Sequence, residues 1–118
     1  MTRPAAAAVA ATAADTARRV PGVVDLDSGP LGTKVTYGSN GRVPGITVRN
    51  SDGARRVTLH LKLAWGPVTP IAKSAIDAVL DALQSEYPDA GPWQVDVEVL
   101  DMADPDAVEA PSPRDVVA

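Results

Sequence analysis

The chain has 118 residues, which is enough for one domain with a modest hydrophobic core. It contains no cysteine, which excludes disulfides, thiolate catalysis and Cys-ligated metal sites. The formal net charge of −4 argues against nucleic-acid binding, which needs a basic surface. No apolar run approaches the ~20 residues of a membrane span, so direct membrane insertion is not expected.

The alanine-rich N-terminal segment predicts a first helix. Val9, Ala13, Ala17 and Val20 share one helical face, and Pro21-Gly22 ends the helix. Because this apolar face is mostly alanine, it buries little area per residue, and the helix is not expected to enter a membrane by itself.

A segment rich in Gly, Ser, Pro and Asn follows at 27–45 and is expected to be mobile. Short strands are predicted at 23–26 and 34–37, with a turn at 38–41. The segment has neither the ligands of an EF-hand calcium loop nor the spacing of a phosphate-binding P-loop.

Strict alternation then predicts a strand pair at 46–50 and 54–65, joined by a turn at 50–53. One face of the longer strand is apolar, and it includes Leu61 and Trp65. The other face is polar and includes His60. The apolar side chains, Trp65 among them, are therefore predicted to lie in the core or at its edge.

A second helix is predicted from a Thr69 N-cap, with Pro70 in the first helical position, to about Glu86. The last strand, 93–100, places Trp93 in phase with three valines on its apolar face. A right-handed crossover through the second helix makes this strand parallel to 54–65.

These elements predict an α+β fold. The expected architecture is a two-layer sandwich in the order α-β-β-α-β, with a small mixed sheet and two helices on one face. The domain is predicted at 5–101. The acidic, Pro- and Ala-rich segment 102–118 has too little apolar content to bury and is predicted to be a disordered tail.

Three residues are candidates for chemistry. His60, the one histidine, is interpreted as a solvated residue of the polar strand face, and Asp96 and Glu98 as carboxylates of an open sheet. Basic residues of the same sheet would pair with these carboxylates: Lys62, Arg49 or Arg56. The alternative is that all three converge in a pocket for metal binding or acid/base work. No catalytic, cofactor-binding or metal-binding residue is assigned.

Several short motifs resemble the alkaline shock protein / general stress protein family of bacterial envelope stress response proteins. The first helix ends in Val20-Pro21-Gly22-Val23, and the strand pair ends in Trp65-Gly66. The last strand reads Val95-Asp96-Val97-Glu98-Val99. The spacing of the second helix matches the family at five positions: Val68, Ile71, Ala72, Ala75 and Val79. The resemblance covers roughly residues 5–101.

What this resemblance implies is a non-catalytic, cytoplasmic stress-response or cell-envelope homeostasis protein without a cofactor. It would act through self-association, or through a small membrane-anchor protein that holds it indirectly at the membrane. Two alternatives stay open: a small metal-dependent or acid/base accessory enzyme using His60, Asp96 and Glu98, and a KH-like nucleic-acid-binding module. The absence of a G-x-x-G loop between two helices counts against the KH-like module.

Overall fold

The computed structural model describes residues 4–38, 41–51 and 53–103. Two helices and six strands follow one another in these residues: α1 (Ala6–Arg18), β1 (Val23–Leu26), β2 (Val35–Gly38), β3 (Gly41–Pro44), β4 (Ile46–Ser51), β5 (Ala54–Ala64), α2 (Val68–Glu86) and β6 (Trp93–Ala103). Neither helix is long and apolar enough to cross a membrane within the described residues.

β5 is the central strand of a four-stranded mixed sheet. β6 lies parallel to it along one edge, from the Arg55–Trp93 pair to the Ala64–Ala103 pair. The other edge of β5 is shared by two antiparallel strands. β4 pairs with its first half and β1 with residues near its end. The predicted parallel arrangement of β5 and β6 is therefore confirmed, and the two strands are neighbours in the sheet.

Both helices pack on one face of this sheet, so the predicted α+β two-layer fold is confirmed. The alternating residues of β5 form the centre of the core and are fully buried: Val57, Leu59, Leu61 and Leu63. The facing side chains of α1 are mostly alanine, with Ala10, Ala13 and Ala17 fully buried. Small side chains let a helix approach its neighbours closely, which explains how an alanine face can belong to a dense core.

The ends of two elements differ from the prediction. α2 begins at Val68 with Pro67 as its N-cap, and no side chain caps it, so the predicted Thr69 N-cap is wrong. β6 continues to Ala103, because its pairing with β5 continues past the register shift near Leu61. Residues 104–118, on which the tail prediction mostly rests, lie outside the described residues.

The glycine-rich segment forms a separate two-stranded hairpin. Its strands β2 and β3 pair antiparallel, and Thr36 Oγ1 donates a 2.7 Å hydrogen bond to the Ile46 carbonyl at the start of β4. β2 matches the strand predicted at 34–37. β3 was not predicted, because Gly41 and Pro44 are both poor strand formers and the segment is only four residues long.

The two tryptophans have opposite environments. Trp93 is 8% exposed and stacks at an angle on Tyr87, with 6.2 Å between the ring centroids, so its predicted core position is confirmed. Trp65 is 67% exposed, and its predicted core position is wrong. β5 ends at Ala64, so the strand alternation that would turn Trp65 inward no longer applies at this residue.

Candidate functional site

A polar groove of about 800 Å³ opens on the side of the sheet opposite the helices. The register explains its composition, because directly paired residues of neighbouring strands point to the same side. Thr47 of β4 pairs with Thr58 of β5, which pairs with Asp96 of β6. Two residues further along both strands, Glu98 of β6 pairs with His60 of β5. The structure therefore brings His60, Asp96 and Glu98 together in one groove.

His60 lies at the junction between the end of β1 at Leu26 and the start of β4 at Ile46, two strands that share one edge of β5. Its amide donates to the Gly45 carbonyl, and its carbonyl accepts from the Asp27 amide, both at 2.8 Å. Gly45 has a φ of +80°, and a Cβ built there would lie 2.5 Å from Leu26 Cβ. The junction thus requires glycine at 45 both for its backbone conformation and for space.

The His60 side chain is 3% exposed, so its predicted solvation is wrong. Sequence alternation assigned the correct strand face, but the glycine-rich segment folds back and places Lys34 at the same groove. His60 Nε2 lies 3.1 Å from Thr47 Oγ1, within hydrogen-bond distance. Nδ1 lies 3.7 Å from Glu98 Oε1, which is too far for a hydrogen bond. Buried Nδ1 has no hydrogen-bond partner among the described residues.

Burial lowers the pKa of His60 below its usual value, because the ring loses hydration that would stabilise its charged form. The Glu98 carboxylate and, more weakly, the Asp27 carboxylate oppose this shift, and the Lys34 ammonium adds to it. The net direction is downward, so His60 is neutral at pH 7. A neutral imidazole has one nitrogen that donates and one that accepts, which makes Nδ1 available for a ligand atom.

One of the predicted ion pairs on this face is present. Arg56 Nε lies 3.2 Å from Asp96 Oδ2, and the same guanidinium donates to Gln94. Lys62 pairs instead with Asp101 at 3.9 Å. Arg49, the third predicted partner, forms no ion pair among the described residues. Asp96 and Arg56 therefore compensate each other's charge within the groove.

Three charges of the groove have no such compensation. Lys34 and Arg49 form no ion pair within the described part of the chain. Glu98 lies 3.7 Å from the His60 ring and forms no ion pair with a lysine or arginine of the described residues. The sequence offered no signal for Lys34, which reaches the groove from a loop. Thr47 could have been found by counting the antiparallel register back from the predicted turn at 50–53, which sets it beside Thr58.

The donor set of the groove suits hydrogen bonding and charge pairing. Within residues 4–38, 41–51 and 53–103, no group of three or more His, Asp or Glu side chains could hold a metal ion. His60 and Glu98 alone would supply only two ligands, whereas protein metal sites generally use three or more.

No protein-family model matches this sequence, and no curated protein matches it. Solved structures named MamM CTD do match. One is 18% identical, with 78% of this chain and 94% of that chain covered and a TM-score of 0.43. A manganese form and a nickel form of MamM CTD are each 16% identical, with 78% of this chain and 95% of that chain covered, and a TM-score of 0.43. Likenesses at this level carry no statement about what this chain binds.

These comparisons correct the family assignment. The chain matches no model or curated member of the alkaline shock protein / general stress protein family, and MamM CTDs are among the solved structures it does match. The predicted assignment is therefore wrong, and with it the stress-response and cell-envelope function. The accessory-enzyme and KH-like alternatives have no support either. The motifs behind the assignment are mostly patterns of hydrophobic spacing, which many α+β sequences share.

Proposed function

We propose that this domain is a non-catalytic binding module for a small polar ligand. Its binding site is the polar groove on the face of the sheet opposite the helices. One observation carries the proposal: the floor of the groove holds a histidine that is 3% exposed and whose Nδ1 has no hydrogen-bond partner among the described residues. Buried polar atoms are nearly always satisfied, so an exception at a groove indicates a place where a ligand atom binds.

The surrounding charges support the same proposal. A single water molecule could satisfy Nδ1, but it would leave the charges of Lys34, Arg49 and Glu98 uncompensated. A ligand with polar groups can contact all of them at once. The Thr47 and Thr58 hydroxyls add donors and acceptors between the charged side chains.

Binding can be tested by NMR with four probes: acetate, inorganic phosphate, methylammonium and glycine. We expect at least one probe to shift the backbone amide signals of Thr47, Thr58 and Glu98 saturably. The amides of Lys73 and Asp77, on the exposed side of α2, serve as the internal control. If no probe shifts the groove signals, or if the α2 signals shift equally, the proposed function is wrong.

We also propose that the chain self-associates. β6 supports it, because in the described part of the chain β6 pairs only with β5 and leaves its other edge open. Light scattering on the purified chain tests it, and a monomer at all concentrations would contradict it. A small membrane-anchor protein and a cytoplasmic location remain predictions.

A further inference from the structure

The uncompensated charges of the groove are separated by sign across the sheet. Arg49 lies on β4, and Lys34 belongs to the loop that precedes β2 and hydrogen-bonds to Gly45 just before β4. Glu98 lies on β6, on the other side of central strand β5. Between them, Arg56 and Asp96 form a 3.2 Å ion pair and add no net charge. The groove therefore has a positive wall and a negative wall.

The distance between these walls fits a small molecule. β4 and β6 are separated by two strand spacings, or about 10 Å between backbones, and side chains from both strands narrow this gap. An ion of one sign would gain attraction from one wall and suffer repulsion from the other. A ligand with both signs can compensate both walls at once.

Resting on the proposed binding function, we propose that the ligand is a zwitterion with an amine at one end and a carboxylate at the other. The carboxylate binds Arg49 and Lys34 on the positive wall. The ammonium group binds Glu98 and donates a hydrogen bond to His60 Nδ1, which is buried in the free chain and becomes accessible when neighbouring side chains move. Nδ1 accepts this bond when Nε2 carries the ring proton and donates it to Thr47 Oγ1 at 3.1 Å.

The decisive experiment compares zwitterions with singly charged molecules of similar size. His60 is the one histidine in the sequence, so ¹⁵N-histidine labelling gives ring signals from a single site. The full chain is titrated at constant ionic strength with γ-aminobutyrate, ε-aminocaproate, butyrate and butylammonium. Each ion-paired contact to a charged group contributes enough to change affinity by about tenfold. We expect at least one zwitterion to bind at least about tenfold more tightly than butyrate or butylammonium.

Two groove variants assign the ends of the ligand. Arg49→Gln should abolish the preference for the zwitterion over butylammonium, because the carboxylate loses its partner. Glu98→Gln should abolish the preference over butyrate, because the ammonium group loses its partner. Lys73→Gln and Asp77→Asn make the same charge changes on the exposed side of α2 and should leave all four affinities unchanged.

The possible failures are distinguishable. If butyrate or butylammonium binds the groove as tightly as both zwitterions, the zwitterion inference is wrong while the binding function stands. If Arg49→Gln and Glu98→Gln keep the full preference, the assigned contacts are wrong, and the inference falls with them. If none of these four probes shifts the His60 ring or the Thr47 and Thr58 amides, the zwitterion inference is wrong, and the binding function fails with it only if acetate, phosphate, methylammonium and glycine also leave the groove signals unshifted.

Discussion

The two faces of the central sheet differ in how their residues are satisfied. On the helix-covered face, Leu59 and Leu61 are fully buried and need only apolar neighbours, which α1 and α2 supply. On the bare face, His60 is buried to nearly the same degree, yet one of its ring nitrogens has no hydrogen-bond partner among the described residues. Burial is thus stabilising on one face and costly on the other, and a costly buried group is the one expected to have a function.

The largest expected effect on stability comes from substitutions at two adjacent residues of β5, on opposite faces of the sheet. Leu61→Asp should unfold the domain, because an unpaired charge in the core costs several kcal/mol. Lys62→Gln, one residue away on the bare face, should change the free energy of unfolding by no more than about 0.5 kcal/mol. Urea unfolding followed by circular dichroism measures both. A Leu61→Asp protein that folds cooperatively would show that the two faces are wrongly assigned.

A second pair of variants tests the junction that positions His60. Gly45→Ala should destabilise the domain by about 3 kcal/mol, because its Cβ would be forced against Leu26 and the Asp27 backbone. Gly53 has the same φ of +80° but no atom of the described residues within 4 Å of a built Cβ, so Gly53→Ala should cost about 1 kcal/mol. Thermal unfolding compares them. Equal losses would mean that crowding at the junction is unimportant.

Adjacent arginines on opposite faces provide a third test. Arg55 is buried on the covered face, where Nη1 donates to the Pro4 carbonyl at 2.8 Å and the guanidinium lies 5.8 Å from the Trp93 ring centroid. Arg56 is exposed on the bare face. Arg55→Met should reduce the free energy of unfolding by about 2 kcal/mol, and Arg56→Met by at most about 1 kcal/mol. Denaturant titration gives both values, and the reverse order would refute the comparison.

The smallest expected effect is a change in the pH dependence of stability. Because the pKa of His60 is lowered on folding, the unfolded chain takes up a proton at about pH 6.5, before the folded chain does. Stability from this residue is therefore complete above about pH 6.5 and falls as the pH decreases toward the folded-state pKa. His60→Gln should lack this decrease. Unfolding at several pH values tests it, and parallel profiles of the two proteins would contradict it.

Local pattern predicted most of the fold. The alternation in β5 and β6 and the helical spacing in α1 and α2 identified all four long elements, because each presents one continuous apolar face to the core. The first and last residues of these elements were less predictable. Thr69 is a good N-cap residue, but α2 starts two residues before the predicted Pro70, and the end of β5 turns Trp65 outward.

The candidate site depended on contacts between residues distant in sequence. Alternation placed His60, Asp96 and Glu98 on one face, as the structure does. It could not predict that His60 is buried, because burial results from the fold of the 27–45 segment, where Gly45 meets the His60 backbone and Lys34 reaches the groove. Glycine-rich segments have little side-chain pattern, so their position against the sheet is decided by tertiary contacts.

The most direct test of the central claim is an NMR titration of the His60 ring in the full chain without added ligand. A buried His60 on the groove floor should titrate with a pKa below about 6.5, the ordinary value for histidine, and its ring should be neutral at pH 7. A His60 that titrates at or above about 6.5, as an exposed strand residue would beside Glu98, would contradict the account.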